Sequence, residues 1–215
     1  MRIVEPSFSF ESEVDRDRIL QHIERAGRTC YKSEGKIGEG TAAAFVKSIV
    51  KRGHESVLEH VSLTVRVVCD RGVSHEIVRH RLASYSQEST RYCNYADEKF
   101  GKSVSFVRPF FWNDAAPESQ EKLRIWTEAM QAAETAYFAL LDKGANAQEA
   151  RSVLPNSLRT ELVMTMDLRE WRHFFRLRCG AASHPQMREL AVPMLAEFRR
   201  RLPEVFDDLG EAASY

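Results

Sequence analysis

The sequence predicts an α+β fold (α/β-like), with helices flanking a small mixed or antiparallel central sheet. Three observations predict it. Helix-patterned stretches cover most of the chain. The two clearest strand-like stretches, residues 61–69 and 160–166, are short and alternate apolar with other residues. No internal repeat, low-complexity tract or Pro/Gly-rich linker divides the 215 residues, so a single domain over residues 1–215 is expected.

Taken in order, residues 1–5 read as a short strand. Residues 15–25 read as a helix with Ile19, Leu20 and Ile23 at core spacing. Residues 41–52 form a second helix, which Thr41 can cap and Gly53 can end. A Val-rich strand over 61–69 precedes a short helix over 74–81, and 104–107 is a further strand. A long helix over 117–143 opens on Pro117 and closes at Gly144. A short helix over 147–153 is ended by Pro155, and a strand follows over 160–166. Asp167 and Glu170 have capping-box form and open a helix to Arg178, with Trp171, Phe174, Phe175 and Leu177 on its core side. Ser183 and Gln186 repeat that pattern before a last helix ending near Arg201.

Formal net charge is zero, which argues against a general nucleic-acid binder. Hydrophobic residues make up 43% of the chain, enough for a core without staples. Arg outnumbers Lys by 23 to 8. The Arg fork pairs with phosphates and carboxylates in a way that Lys does not, although a GC-rich genome would also inflate the count. Cys30, Cys69, Cys93 and Cys179 have neither C-x-x-C spacing nor a Cys/His cluster, so no metal site or disulfide framework is expected and the thiols should be reduced and mostly buried. Residues 1–6 lack an apolar signal core and no stretch has membrane-span length, so a cytoplasmic protein is expected.

The most unusual stretch starts with three adjacent cations, Arg79, His80 and Arg81. Behind them come Ser84, Ser86, Gln87, Ser89 and Thr90, then Arg91 and Tyr92. A helix that breaks into a donor-rich polar loop suits a phosphate joined to a heterocycle. The plainer alternative is a solvated basic helix end. A second cationic region lies downstream: six Arg between Arg151 and Arg178 meet three acids, and Arg169, Arg172, His173 and Arg176 share one helix face. That face is either solvated surface or the wall of a pocket completed by another subunit.

Arg-His-Arg followed after seven residues by Ser resembles the signature of flavin-dependent thymidylate synthases. The resemblance extends upstream to His54, Glu55, Ser56, Glu59 and His60. It extends downstream to Ala150, Arg151, Leu154, Pro155, Asp167, Arg169, His173, Leu177 and Arg178, covering roughly residues 50–185. Ser86 and Gln87 stand where Asn-Glu is frequent in that family, Glu76 where Gln is common, and Asp167 where Asn is common.

The resemblance implies a methyltransferase that makes dTMP from dUMP, with 5,10-methylenetetrahydrofolate as carbon donor and FAD reduced by NADPH. It implies a homotetramer with shared sites. By resemblance, Arg178 activates the uracil ring without a catalytic Cys. The implied dUMP residues are Glu76, Arg79, Gln87, Glu88, Ser89, Thr90, Arg91, Arg151 and Arg178. The implied FAD residues are Ser56, Arg79, His80, Arg81, Gln87, Asp167, Leu168, Arg169 and His173, with His54 and His80 near flavin or folate. No G-x-G-x-x-G is present, which excludes a Rossmann flavin site.

Two other classes have partial support in the sequence. His75, Glu76 and His80 suggest a zinc hydrolase, but the zincin motif needs its second His four residues after the first, where Arg79 stands. Arg clusters with Tyr85, Tyr92 and Tyr95 suggest a single-strand nucleic-acid module, against which zero net charge counts.

Overall fold

Short polar residues set half of the α-helix starts in the structure, a computed structural model that describes residues 1–210. The elements are β1 (Arg2–Val4), β2 (Ser7–Phe10), α1 (Arg16–Thr29), α2 (Thr41–Lys51), β3 (Ser62–Asp70), α3 (Arg71–Ile77) and β4 (Ala83–Gln87). There follow β5 (Ser105–Val107), α4 (Pro117–Asp142), α5 (Ala147–Ala150), β6 (Arg159–Asp167), α6 (Leu168–Arg178), α7 (Pro185–Arg201) and α8 (Pro203–Phe206). Asp15, Asp70, Asn146 and Asp167 each cap a helix, accepting a first-turn amide with the side chain. Strand order in the larger sheet is β2-β3-β6-β4, and β1 pairs with β5 in parallel, Ile3 opposite Phe106. The α+β class with a small sheet flanked by helices is therefore observed. No described helix is long and apolar enough to cross a membrane.

Two compact units emerge. The first comprises Met1–Ser7, Val67–Arg79 and Ser86–Leu162. Its core gathers Tyr95, Val104, Phe106, Trp126, Met130, Tyr137, Ala150 and Leu158. Helix α4 supplies Trp126, Met130 and Tyr137 from one face, as the 3.6-residue period requires. Glu134 lies on that face too, and its buried carboxylate accepts the Val104 amide at 2.8 Å. Gly144, at φ 91°, ends the helix in a conformation that suits residues without a Cβ.

The second unit comprises Phe8–Arg66, His80–Tyr85 and the described residues from Val163 on. Here α6 presents Trp171 and Phe175 to Phe198 of α7, and Phe175 also to Phe206 of α8, with ring centroids 4.8–5.9 Å apart. Such offset and edge-on ring pairs add to the area they bury. The Trp171 indole donates to the Leu63 carbonyl at 3.1 Å. Gly27 lets α1 approach α2 closely, since a Cβ there would stand 2.7 Å from the Phe45 ring.

Several expectations are corrected. The helix expected over 74–81 runs instead from Arg71 to Ile77, so the three signature cations lie beyond it. The polar stretch after them is not all loop: Ala83–Gln87 is β4, whose alternation is of exposure rather than of hydrophobicity, which hid it. Thr41 is not a cap but the first helical residue, and its hydroxyl bridges the Gly38 carbonyl and Glu24. Asp167 caps α6 as expected, but the Glu170 side chain turns to His80 instead of reaching back to complete the box. Helix α7 is capped by His184, while the Ser183 hydroxyl is buried with no hydrogen-bond partner. Leu177 is 45% exposed and no core residue.

Arg172 is 1% exposed and so does not belong to a cationic surface. Its guanidinium is clamped by Glu55 at 2.9 Å and by Asp208 at 2.6 Å. Arg169 pairs with Glu59, and Arg176 with Glu55. The acids that neutralise this helix come from outside the 151–178 window, where counting in sequence could not find them. Of the four thiols only Cys69 and Cys179 are buried; Cys93 is half-buried and Cys30 exposed.

Candidate active site

In the first unit, the local sequence builds a cationic cleft of about 450 Å³. Asn146 and Glu149 form a reciprocal capping box for α5, and a tight turn over Arg151–Val153 then delivers Arg151 to the cleft. The Arg151 guanidinium donates to the buried Thr90 hydroxyl at 3.2 Å. Arg71 enters the same cleft from the first position of α3, its amide held by the Asn156 and Leu158 carbonyls at 2.9 and 3.1 Å. The Arg71 Nη1 atom is buried and has no hydrogen-bond partner. His75, Gln148, Ser152 and Asn156 complete the polar lining, and no carboxylate is among the lining residues. A buried guanidinium nitrogen without an acceptor costs about 1–3 kcal/mol or more, so this cleft is suited to an anion.

The other signature residues of this unit divide. Gln87 donates its amide to the Ser74 and Thr160 hydroxyls at 2.9 and 3.1 Å. The Glu88 carboxylate takes the Tyr95 hydroxyl at 2.8 Å and Arg159 at 2.6 Å. Both side chains are thus bonded within the protein. The Ser89 hydroxyl accepts the Arg91 amide at 3.4 Å. Arg91 is exposed, its guanidinium 5.3 Å from the Tyr92 ring centre. Glu76 is half-buried on α3, and Arg79 is exposed just beyond it.

In the second unit, His80 is buried and bonded through both ring nitrogens. Nδ1 meets a Glu170 carboxylate oxygen at 3.0 Å, and Nε2 accepts the Arg178 Nε–H at 3.0 Å. Because Arg178 can only donate, Nε2 is bare and Nδ1 carries the proton. Burial pushes the His80 pKa down, and the Arg178 cation and the neighbouring His173 add to that against the opposing Glu170. The imidazole is therefore neutral. The His173 ring stands edge-on at 5.6 Å, and the Tyr85 hydroxyl donates to the His80 carbonyl at 2.8 Å. His80, Glu170 and His173 have ligand atoms within 4.8 Å of one another, the spacing of a metal site. A metal there would have to displace the hydrogen bonds that occupy both His80 nitrogens, so the group reads as a relay.

Two of the clefts in this unit are lined by residues of the implied FAD set. One, of about 500 Å³, is lined by Glu55, Glu59, Asp167, Arg169, Glu170, His173 and Arg176, with the exposed Leu82 at its edge. Its Arg residues are paired to its own acids. The other, of about 540 Å³, has an apolar floor of Phe45, Ile49 and Val57, and a rim with Lys36, Arg52, His54 and Ser56 but no acid. Arg81 is exposed. Leu168 is a core side chain whose amide donates to the Val61 carbonyl at 2.9 Å.

The family model described as thymidylate synthase complementing protein matches residues 14–204. The chain belongs to that family. It is 37% identical over 206 residues to the flavin-dependent thymidylate synthase of Geobacter sulfurreducens, an alignment spanning 89% of this chain and 85% of the relative. It is 35% identical over 221 residues to the enzyme of that name from Mycolicibacterium vanbaalenii, spanning 94% and 84%. The corresponding figure for Mycobacterium tuberculosis is 37% over 204 residues, spanning 86% and 78%. Against the family signature, the chain brings His80 and Arg178 into contact across 98 positions, and Thr90 and Arg151 across 61. Sequence reasoning missed Arg71 and the apolar-floored cleft. Arg71 reads as an ordinary residue at a strand–helix junction, and of the residues that line the cleft only His54 and Ser56 belong to the family-like segments.

Proposed function

We propose that the protein catalyses reductive methylation of dUMP to dTMP, with 5,10-methylenetetrahydrofolate as carbon donor and FAD reduced by NADPH. The observation that carries this reading is the Arg178–His80 contact, which joins the family signature to the residue best suited to activating a pyrimidine.

The acid-free cleft of the first unit fits the dUMP phosphate. Arg151, Thr90 and the unpartnered Arg71 Nη1 supply donors, and Ser89 and Arg91 stand on the adjoining loop. Glu76, Arg79, Gln87 and Glu88 complete the nucleotide-side set. Arg178 donates to the imide edge of uracil and stabilises the negative charge that makes carbon five nucleophilic. A fixed cation aimed at developing charge is effective because it needs no reorganisation. No thiol is required: burial pushes Cys179 up to about 11 and Cys93 upward as well, the opposite of an activated nucleophile.

The donor set of the second unit fits FAD. Ser56 and His54 border a cleft whose apolar floor suits a planar ring and whose Lys36 and Arg52 suit phosphate. His80, Arg81, Asp167, Leu168, Arg169 and His173 complete the set in this unit. When bound, reduced FAD supplies the reducing equivalents that turn a transferred methylene into a methyl group. A homotetramer with shared sites accounts for the exposure of signature-region residues such as Leu82 (73%) and Tyr92 (76%).

The test is to purify the protein, record its absorption spectrum, and assay tritium release from 5-labelled dUMP with the folate and NADPH. A flavin spectrum and folate-dependent release are expected. Colourless protein that shifts single-stranded DNA in a salt-dependent manner would overturn the reading.

A further inference from the structure

The Glu170 side chain abandons its expected capping role, and the reading of Arg178 as the activating residue does not account for that. At the third position of α6, Glu170 is placed to reach back to the N-terminal amide, as capping-box glutamates do. Instead it is 6% exposed and bonded to the His80 imidazole at 3.0 Å. A carboxylate buried this deeply is retained only where it is hydrogen-bonded. On the far side of the same ring, Arg178 donates from Nε at 3.0 Å.

We propose that Glu170 is a positioning residue that acts through His80 on Arg178. By accepting the Nδ1–H proton it holds His80 in the tautomer whose bare Nε2 can receive the Arg178 Nε–H, and so fixes the plane of the guanidinium. The logic is that of a carboxylate that sets the tautomer of a functional imidazole, here handed on to a cation. In the other tautomer two N–H groups would face each other and turn Arg178 away. The ring is clamped from other sides as well: Phe174 packs 5.0 Å from it, and Tyr85 ties its carbonyl. Tautomer is then the remaining freedom, and Glu170 controls it.

This inference rests on the proposed role of Arg178, and the experiment separates the two. Glu170→Met removes the acceptor at similar volume, Glu170→Gln keeps a carbonyl acceptor for Nδ1–H, and Arg178→Lys is measured beside them. Glu170→Met should keep its FAD and lose about tenfold to a hundredfold in kcat, the range for removing the partner that orients a functional imidazole. KM for dUMP should change little, and Glu170→Gln should recover most of the loss. Impaired Arg178→Lys with normal Glu170→Met would sink the relay alone. Normal turnover in Arg178→Lys would sink the Arg178 reading itself. Nitrogen-15 NMR of the imidazoles in the wild-type holoenzyme decides the matter even if Glu170→Met does not fold. A proton on Nδ1 of His80 is expected, and a proton on Nε2, or an imidazolium at neutral pH, would overturn the relay. Stoichiometric zinc that is lost in Glu170→Gln would overturn it too.

Discussion

Replacing Arg178 with Lys separates a catalytic cation from a cation that merely complements a helix end. Arg178 is the last residue of α6, where any positive charge is favoured by the helix dipole, by about 0.3–1 kcal/mol. Lys retains that contribution. It loses the planar fork and the Nε–H that meets His80 Nε2 at 3.0 Å. His80 Nε2 left without a donor costs about 1–3 kcal/mol, and the lower end applies where water enters beside the half-buried position 178 to replace the lost N–H. A folded protein retaining FAD is therefore expected, with a melting temperature lowered by a few degrees, about the shift for ~1 kcal/mol in a domain of this size. Removal of one charge-stabilising donor costs about 10²–10³ in kcat, or ~2.7–4 kcal/mol. The catalytic loss thus exceeds the stability loss, and turnover should fall without the protein unfolding. The assay is dUMP-dependent oxidation of the reduced flavin under single-turnover conditions, alongside thermal unfolding. Turnover within a few-fold of wild type would refute the reasoning and transfer the activating role to Arg91 or Arg151.

Other outcomes are expected from the same geometry. Arg172→Met should destabilise the protein by about 3 kcal/mol, the low end for breaking a buried ion pair, since Glu55 keeps Arg176 and Asp208 is half-exposed; loss of FAD without loss of stability would instead make Arg172 part of the flavin site. Burial alone would raise the Glu55 pKa, but Arg176 and Arg172 outweigh it and hold the carboxyl low. Its stabilising contribution is thus present above the unfolded value of about 4.3 and is lost as pH falls through the lower folded value, so the acid limb of a stability–pH curve should be shallower in Arg172→Met. Cys179→Ser should leave tritium release from labelled dUMP detectable, and abolished turnover with FAD and dUMP still bound would contradict non-covalent activation. Arg81→Ala should yield weakly coloured protein, and undiminished flavin stoichiometry would remove Arg81 from the FAD set. Light scattering at assay concentration should report a tetramer, and a fully active monomer would end the shared-site reading.

The sequence by itself determined the class of the fold, the positions of its longer elements and the family. Strands β3 and β6 alternate strongly, α4 is bracketed by Pro117 and Gly144, and the spacing from Arg79 to Ser89 is local information that needs no folding to be read. Strand β4 was illegible because its polar residues alternate only in exposure, a property that exists once β6 lies beside it. Side-chain partnership was likewise decided by tertiary structure. Arg172 looked like part of a cationic wall until Glu55 and Asp208, 117 and 36 residues away, were brought to it. Glu170 looked like half of a capping box until His80 offered a buried N–H, 90 residues away in the chain. Arg71 carried no signal at all; what distinguishes it is a buried nitrogen without an acceptor in an acid-free cleft, and burial comes from the packing of the whole unit. Local pattern fixes where helices and strands begin because backbone preferences act over a few residues. Which charges neutralise one another, and which are left facing a ligand, depends on contacts between residues tens of positions apart, and only the folded chain sets those.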